Sequence, residues 1–244
     1  MPLLEISHLQ AGTEGKMILR DVTLTIESGQ TVALLGPNGS GKSTLAHVLM
    51  GHPGYDVTGG TALFNGQDLL ALSPEERARA GLFLSFQYPQ SIAGVSIGNF
   101  LRLAYNATHD PGLSVGDFLT LLKEKLQLLG MSEEWIARSV NDGASGGEKK
   151  RAEMLQLAVL QPKLAILDET DSGLDIDALR IVGQALLAIR RQQRQMSLLV
   201  ITHHRSLLEY VAPDTVAVMR EGKIVAQGGQ EIIQQVQQSG FGMM

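Results

Sequence analysis

Cysteine is absent from all 244 residues. That absence excludes a disulfide scaffold, a thiolate-ligated zinc or iron–sulfur site on this chain, and a cysteine nucleophile. Aromatic residues are scarce at 5%, so the core must be built from Leu, Ile, Val and Ala. No stretch approaches the ~18 to 20 consecutive apolar residues that a membrane-spanning helix needs. The opening Met1-Pro2-Leu3-Leu4-Glu5 has no basic segment followed by an apolar one, so a secretory signal is not expected and a cytoplasmic location is. Positive charge is also in short supply. With 20 Lys and Arg against 25 Asp and Glu, the net charge is −5, which argues against a nucleic-acid partner, since such binding runs on phosphate neutralisation.

What is present is an ordinary globular composition, 44% apolar and 18% charged, in a chain long enough to need no covalent staple. Alternating stretches predict half-buried strands at Leu3 to Leu9 and Leu19 to Ile26, and a short strand ends at Asn65. Continuous apolar runs at Thr31 to Leu35, Leu82 to Phe86, Lys163 to Leu167 and Ser197 to Ile201 predict strands buried on both faces. Ser73-Pro74-Glu75-Glu76 carries the marks of a helix start, as does Ser132-Glu133-Glu134. A helix is expected from about 177 to 192, and a hairpin around Glu221-Gly222 followed by a helix. From about 94 to 160 the chain reads mainly as helices. The expectation is a single α/β unit: a core with an N-terminal antiparallel β subdomain over 1–88 and 159–244, and a helical arm over 89–158.

Gly36-Pro37-Asn38-Gly39-Ser40-Gly41-Lys42-Ser43-Thr44 fits G-x-x-x-x-G-K-[ST] between a predicted buried strand and a predicted helix. Glycines let the backbone curl so that its N–H groups converge on phosphate oxygens. The helix adds its positive end, Lys42 reaches the β- and γ-phosphates, and the Ser43 hydroxyl suits Mg²⁺. The expected ligands are therefore a nucleoside triphosphate and Mg²⁺.

A second constellation is the buried strand ending in Asp168-Glu169. Acids at the carboxyl end of such a strand face the phosphate site: Asp168 to hold Mg²⁺, Glu169 to polarise the attacking water. Adjacent acids alone could equally be a solvated strand end. The next strand ends at His203, placed to hydrogen-bond the γ-phosphate, while His204 reads as surface or packing. Ahead of both strand ends lies Ala144-Ser145-Gly146-Gly147-Glu148-Lys149-Lys150-Arg151, a glycine turn opening a helix with Ser145 as its cap. Its basic run would ordinarily mark a solvated face.

In this order the motifs resemble those of the ABC ATPases over nearly the whole chain. The resemblance makes Ser145, Gly146, Gly147 and Glu148 the signature turn and Gln87 the Q-loop residue, a contact to nucleotide and Mg²⁺. It makes Asp175, in Ser172-Gly173-Leu174-Asp175, the D-loop acid, and His203 the switch histidine. Glu148 stands where the family usually has glutamine, and Asp168-Glu169-Thr170-Asp171-Ser172-Gly173 where it has D-E-P-T-S-A. No aromatic residue occurs from Gln10 to Met17, where a ring often stacks on adenine, so loose base recognition through apolar contact is expected. The longer strings Phe86-Gln87-Tyr88-Pro89, Ser145 to Arg151 and Asp171 to Leu179 resemble the branch that serves Suf iron–sulfur cluster assembly, which implies scaffold partners of the SufB/SufD type.

The resemblance further implies head-to-tail closure of two copies on two ATP molecules, with the signature turn of one capping the γ-phosphate held by the other. Tyr88 to Val95, an apolar and turn-rich segment, could be a partner contact or buried core. Three functional classes follow: an ATPase powering scaffold assembly, the ATPase subunit of a membrane transporter, and a nucleic-acid machine. The last is disfavoured by the net acidity and by the lack of long heptad runs.

Overall fold

Of the four runs that read as doubly buried, three form strands buried at every residue, and the run from Leu82 forms the strand at one edge of the sheet. A computed structural model describes residues 1–85, 90–202 and 205–241. In chain order the elements are β1 (Leu4–Thr13), β2 (Lys16–Ile26), β3 (Thr31–Leu35), α1 (Lys42–Met50), β4 (Asp56–Phe64), β5 (Gln67–Asp68), α2 (Pro74–Ala80) and β6 (Leu82–Ser85). The arm follows with β7 (Ile92–Ser96), α3 (Ile97–Thr108), α4 (Val115–Leu128), a 3-10 turn (Glu133–Ile136), β8 (Ser139–Val140) and α5 (Gly146–Leu160). The chain then returns through β9 (Leu164–Asp168), α6 (Ile176–Gln192), β10 (Ser197–Ile201), α7 (Arg205–Val211), β11 (Thr215–Arg220), β12 (Lys223–Gly228) and α8 (Glu231–Ser239).

Among the described residues ten strands form one sheet in the order β5-β4-β1-β2-β12-β11-β3-β10-β9-β6. The half from β11 to β6 is parallel, with β3 between β11 and β10. The other half, β2 to β5, is antiparallel. Every residue of β3, β9 and β10 is buried, because helices cover both faces of the parallel half. Side-chain alternation splits this core in two. Leu164, Ile166, Leu199 and Ile201 pack with Leu45 and Leu49 of α1 on one face. Ala165, Leu167, Leu198 and Val200 pack with Val182, Leu186 and Ile189 of α6 on the other. A third cluster, with Leu101, Phe118, Leu122, Trp135 and Leu155, holds the arm together.

Local signals were met where chemistry is local. Pro74 opens α2 behind a complete capping box, in which Ser73 N–H donates to Glu76 at 2.8 Å and Ser73 Oγ accepts from the Glu76 N–H. The arm is mainly helical, as expected, and adds the short antiparallel pair β7 and β8; two- and five-residue strands are too short to show a period. Two expectations need correction. Ser132 opens a 3-10 turn rather than an α-helix. The strand ending at Phe64 begins at Asp56, its first half hidden by Gly59-Gly60. Phe86, at the end of the strand expected from Leu82, lies outside the described residues, as do Gln87, Tyr88, Pro89, His203 and His204. No helix among the described residues is long and apolar enough to cross a membrane.

Candidate functional site

β3 lies between β11 and β10 in the parallel half of the sheet, and its carboxyl end runs into the glycine loop at residues 36–41. Gly39 and Gly41 take left-handed backbone (φ 77° and 109°), so the loop curls back over the start of α1. Gly41 is the N-cap of α1, no side chain caps the helix, and its first turn holds no acid. The leading amides thus lack the side-chain acceptor that a helix start usually has, which is the arrangement an anion requires.

Lys42 is buried, and its Nζ donates to the carbonyls of Gly36 at 2.9 Å and Pro37 at 3.0 Å. Burial lowers its pKa, while the charges of Glu169 and Asp168 raise it back in part. The loop is also anchored from outside. The turn between β11 and β12 wedges against β2: Gly222 N–H donates to the Ser40 carbonyl at 2.9 Å, and Gly222 O accepts from Arg20 N–H at 2.9 Å. Gly222 has φ 76°, and a Cβ there would stand 1.9 Å from the Ile18 carbonyl, so only glycine fits.

β9 lies one strand beyond β10 from β3, and its carboxyl end reaches the same place. Ser43 Oγ donates to Asp168 Oδ1 at 3.0 Å. Burial pushes the Asp168 pKa up to about 6; the Ser43 hydrogen bond pulls the other way and the Glu169 charge adds to the rise. A hydroxyl and a buried carboxylate, joined at the helix start, form an oxygen donor pair suited to a hard cation, and the residues present fit Mg²⁺. Glu169 adopts φ 45°, unusual for a side-chain-bearing residue. Its N–H donates to Ile201 O and its carbonyl accepts from Ser172 N–H, both at 2.9 Å.

Ser43 and Glu169 border one cleft of about 610 Å³, and the buried Asp168 is tied to it through its hydrogen bond from Ser43. Asn38, Gly39, Gly41, Lys42, Ser43 and Thr44 line it from the loop and helix, and Glu169 from the strand end. Lys16, Met17, Ile18 and Arg20 of β2 and Glu221 of the hairpin turn complete the wall. Met17 and Ile18 supply apolar surface where no aromatic ring is available. Sequence reasoning missed Lys16, Arg20 and Glu221. The strand period puts Lys16, Ile18 and Arg20 on one face, but only the sheet order brings that face to the loop.

The Ser145 turn lies elsewhere: none of Ser145, Gly146, Gly147 or Glu148 lines the cleft. Ser145 caps α5, and Glu148 closes a capping box, accepting from Ser145 N–H at 2.9 Å and from Ser145 Oγ at 3.0 Å. Arg138 holds the other Glu148 oxygen at 2.8 Å. The Ser145 N–H bond, with Arg138 and the Ser145 hydroxyl, lowers the Glu148 pKa to about 2. Asp175 is likewise a cap, accepting from Ala178 N–H at 2.7 Å at the start of α6. The two helix starts adjoin, since a Cβ on Gly147 would touch that of Ala178 at 3.4 Å. Ile176 projects beside them, 86% exposed. The basic run departs from a solvated face, for Lys150 is buried and paired with Glu153 at 2.8 Å. The structure therefore brings Lys42, Ser43, Asp168 and Glu169 together, and gathers Ser145 to Glu148 and Asp175 on a separate ridge. Gln87 and His203 lie outside the described residues.

Comparison with known proteins is consistent with this geometry. The ABC transporter family model matches residues 19–172. The chain is 51% identical over 243 residues to the "Probable ATP-dependent transporter ycf16" of Cyanophora paradoxa, covering 98% of this chain and 93% of that one. It is 48% identical over 246 residues to the "Probable ATP-dependent transporter SufC" of Escherichia coli K12, covering 99% and 98%. Among solved structures, an ATP-binding cassette of an ABC transporter superposes with a TM-score of 0.80 at 25% identity, covering 98% and 96%. A dimeric bacterial ABC transporter cassette shares the fold at a TM-score of 0.78 and 18% identity, covering 93% and 98%.

Proposed function

The chain belongs to the ABC transporter family as an ATP-binding and ATP-hydrolysing subunit, and from that premise we propose roles for its residues and a class of partner. The observation that carries the reading is one cleft lined by an uncapped helix start, by Ser43 with its hydrogen bond to the buried Asp168, and by Glu169.

In this reading the amides of residues 39–43 and the Lys42 ammonium bind the β- and γ-phosphates, Lys42 exchanging its two carbonyl acceptors for phosphate oxygens. Ser43 and Asp168 would hold Mg²⁺, which would supply positive charge against the triphosphate. Glu169 orients a water at the γ-phosphorus and takes its proton as the new P–O bond forms and the bond to the leaving ADP oxygen breaks. Gln87 and His203 are assigned to the cation and the γ-phosphate by motif alone. Met17 and Ile18 offer the base an apolar wall.

The Ser145–Glu148 turn has no phosphate of its own within this cleft. We therefore assign it, with Asp175, to the nucleotide of a second copy docked head to tail; a cassette that shares this fold is itself dimeric. Closing on ATP and opening after hydrolysis would convert chemistry into movement of attached partners. The SufC relative and the strings Ser145 to Arg151 and Asp171 to Leu179 support scaffold proteins of the SufB/SufD type as those partners, in iron–sulfur cluster assembly. A chain without cysteine would then supply the motion while other subunits hold iron and sulfur. Co-purification from cells of the untagged protein tests this: soluble scaffold subunits should be recovered in stoichiometric amount. Recovery of an integral membrane subunit without them would replace the partner assignment by a transporter.

A further inference from the structure

The loop that leaves β9 contains a second carboxylate that the proposed chemistry does not use. Asp171 stands two residues beyond Glu169, where the ABC pattern has threonine, and it is only 4% exposed. Its Oδ2 accepts from Thr202 Oγ1 at 2.5 Å, and Thr202 is fully buried. Asp171 Oδ1 has no hydrogen-bond partner among the described residues. Enclosing a carboxyl group with so few partners costs stability, so a gain elsewhere must offset it.

That gain is geometric. A separation of 2.5 Å is the short extreme for O–H···O contacts, where charged acceptors give the strongest and most directional bonds. Thr202 is the residue after β10 and directly precedes His203 in the chain. The same loop is already joined to β10 one step earlier, by Glu169 N–H on Ile201 O at 2.9 Å. Glu169, in its left-handed conformation, is therefore set between two links to the end of β10: a backbone link at its own nitrogen and a side-chain link two residues on. Strained backbone of this kind persists only where its surroundings over-determine it.

We propose that Asp171 is a positioning residue for ATP hydrolysis, fixing through Thr202 the loop that aims Glu169 at the attacking water. The inference rests on the role given to Glu169. It accounts for an acid at this position, because threonine offers a hydroxyl partner but no charged acceptor.

The test is a mutant cycle on the full chain, measuring kcat, KM for Mg-ATP and thermal stability. Thr202→Val and Asp171→Ala should each lower kcat by about 10- to 100-fold with KM within roughly threefold of wild type. The double variant should fall no further than either single one, because both remove the same bond. Thr202→Ser, which keeps the hydroxyl, should restore kcat to within about threefold of wild type, and Asp171→Asn should fall between the extremes. If Asp171→Ala does not fold, the contrast between Thr202→Ser and Thr202→Val carries the test. Wild-type kcat in Thr202→Val would overturn the proposal, as would multiplicative losses in the double variant or a loss of stability without a loss of kcat. A Glu169→Gln control separates the two readings: unchanged turnover there removes Glu169 from the reaction, while the Asp171–Thr202 cycle still reports its own coupling.

Discussion

Two glycine turns open helices in this chain, and they are finished in opposite ways. At α1 the cap is Gly41, without a side chain, and the first turn has no acid. At α5 the cap is Ser145, and Glu148 fills the helix start with a carboxylate that Arg138 holds from outside. A helix start must find acceptors for its leading amides. One end provides its own; the other is left for a phosphate. Both sequences are glycine-rich and both precede lysine, so composition does not separate them. The difference is whether an acid stands at the third helical position.

That contrast can be broken or sharpened by substitution, taking the largest effect first. Glu169→Gln removes the proposed proton acceptor from the cleft without touching either helix start, so it should slow ATP turnover about 10²- to 10⁴-fold while leaving ATP affinity near wild type; steady-state kinetics beside equilibrium binding checks both halves. Lys42→Ala removes the buried cation at the open helix start, and a loss of roughly 10²-fold or more in ATP affinity is expected by calorimetry.

The pH response should also be one-sided. Asp168 has its pKa raised from 3.8 to about 6 by burial. The native state therefore holds this proton more tightly than the unfolded chain. The resulting stability is full below about pH 3.8 and is lost as pH rises through about 6. A cation needs the ionised form, so Mg²⁺-dependent nucleotide affinity should fall about tenfold per pH unit below pH 6 and level off above it. At α5 the sign reverses: Glu148, with a pKa near 2, is already ionised across that range, and its capping contribution should not vary between pH 5 and 8. Glu148→Ala should cost about 0.5–2 kcal/mol of stability, as lost caps do, seen as a small drop in Tm.

The same contrast shows what a sequence makes legible. The phosphate loop and the Asp168-Glu169 strand end could be read because continuous apolar runs announce doubly buried strands, and the motifs sit directly at their ends. Capping at Ser73 and Ser145 could be read because partner and cap lie three residues apart. Lys16, Arg20 and Glu221 could not be placed at the cleft, since they reach it only through the parallel contact of β12 with β2. Arg138 on Glu148 and Thr202 on Asp171 are likewise pairings across elements, 10 and 31 residues apart, that no local period reveals. Lys150 misled in the opposite sense. A basic run suggests solvent, yet its middle member is buried against Glu153.

The most direct test of the account is one titration of Mg-ATP into three proteins at concentrations where each is a single copy: wild type, Lys42→Ala and Glu148→Ala. If the open helix start is the phosphate site and the filled one serves another copy's nucleotide, Lys42→Ala should lose affinity by about 100-fold or more and Glu148→Ala should match wild type within about threefold. Equal affinity for Lys42→Ala and wild type, or a loss confined to Glu148→Ala, would contradict it.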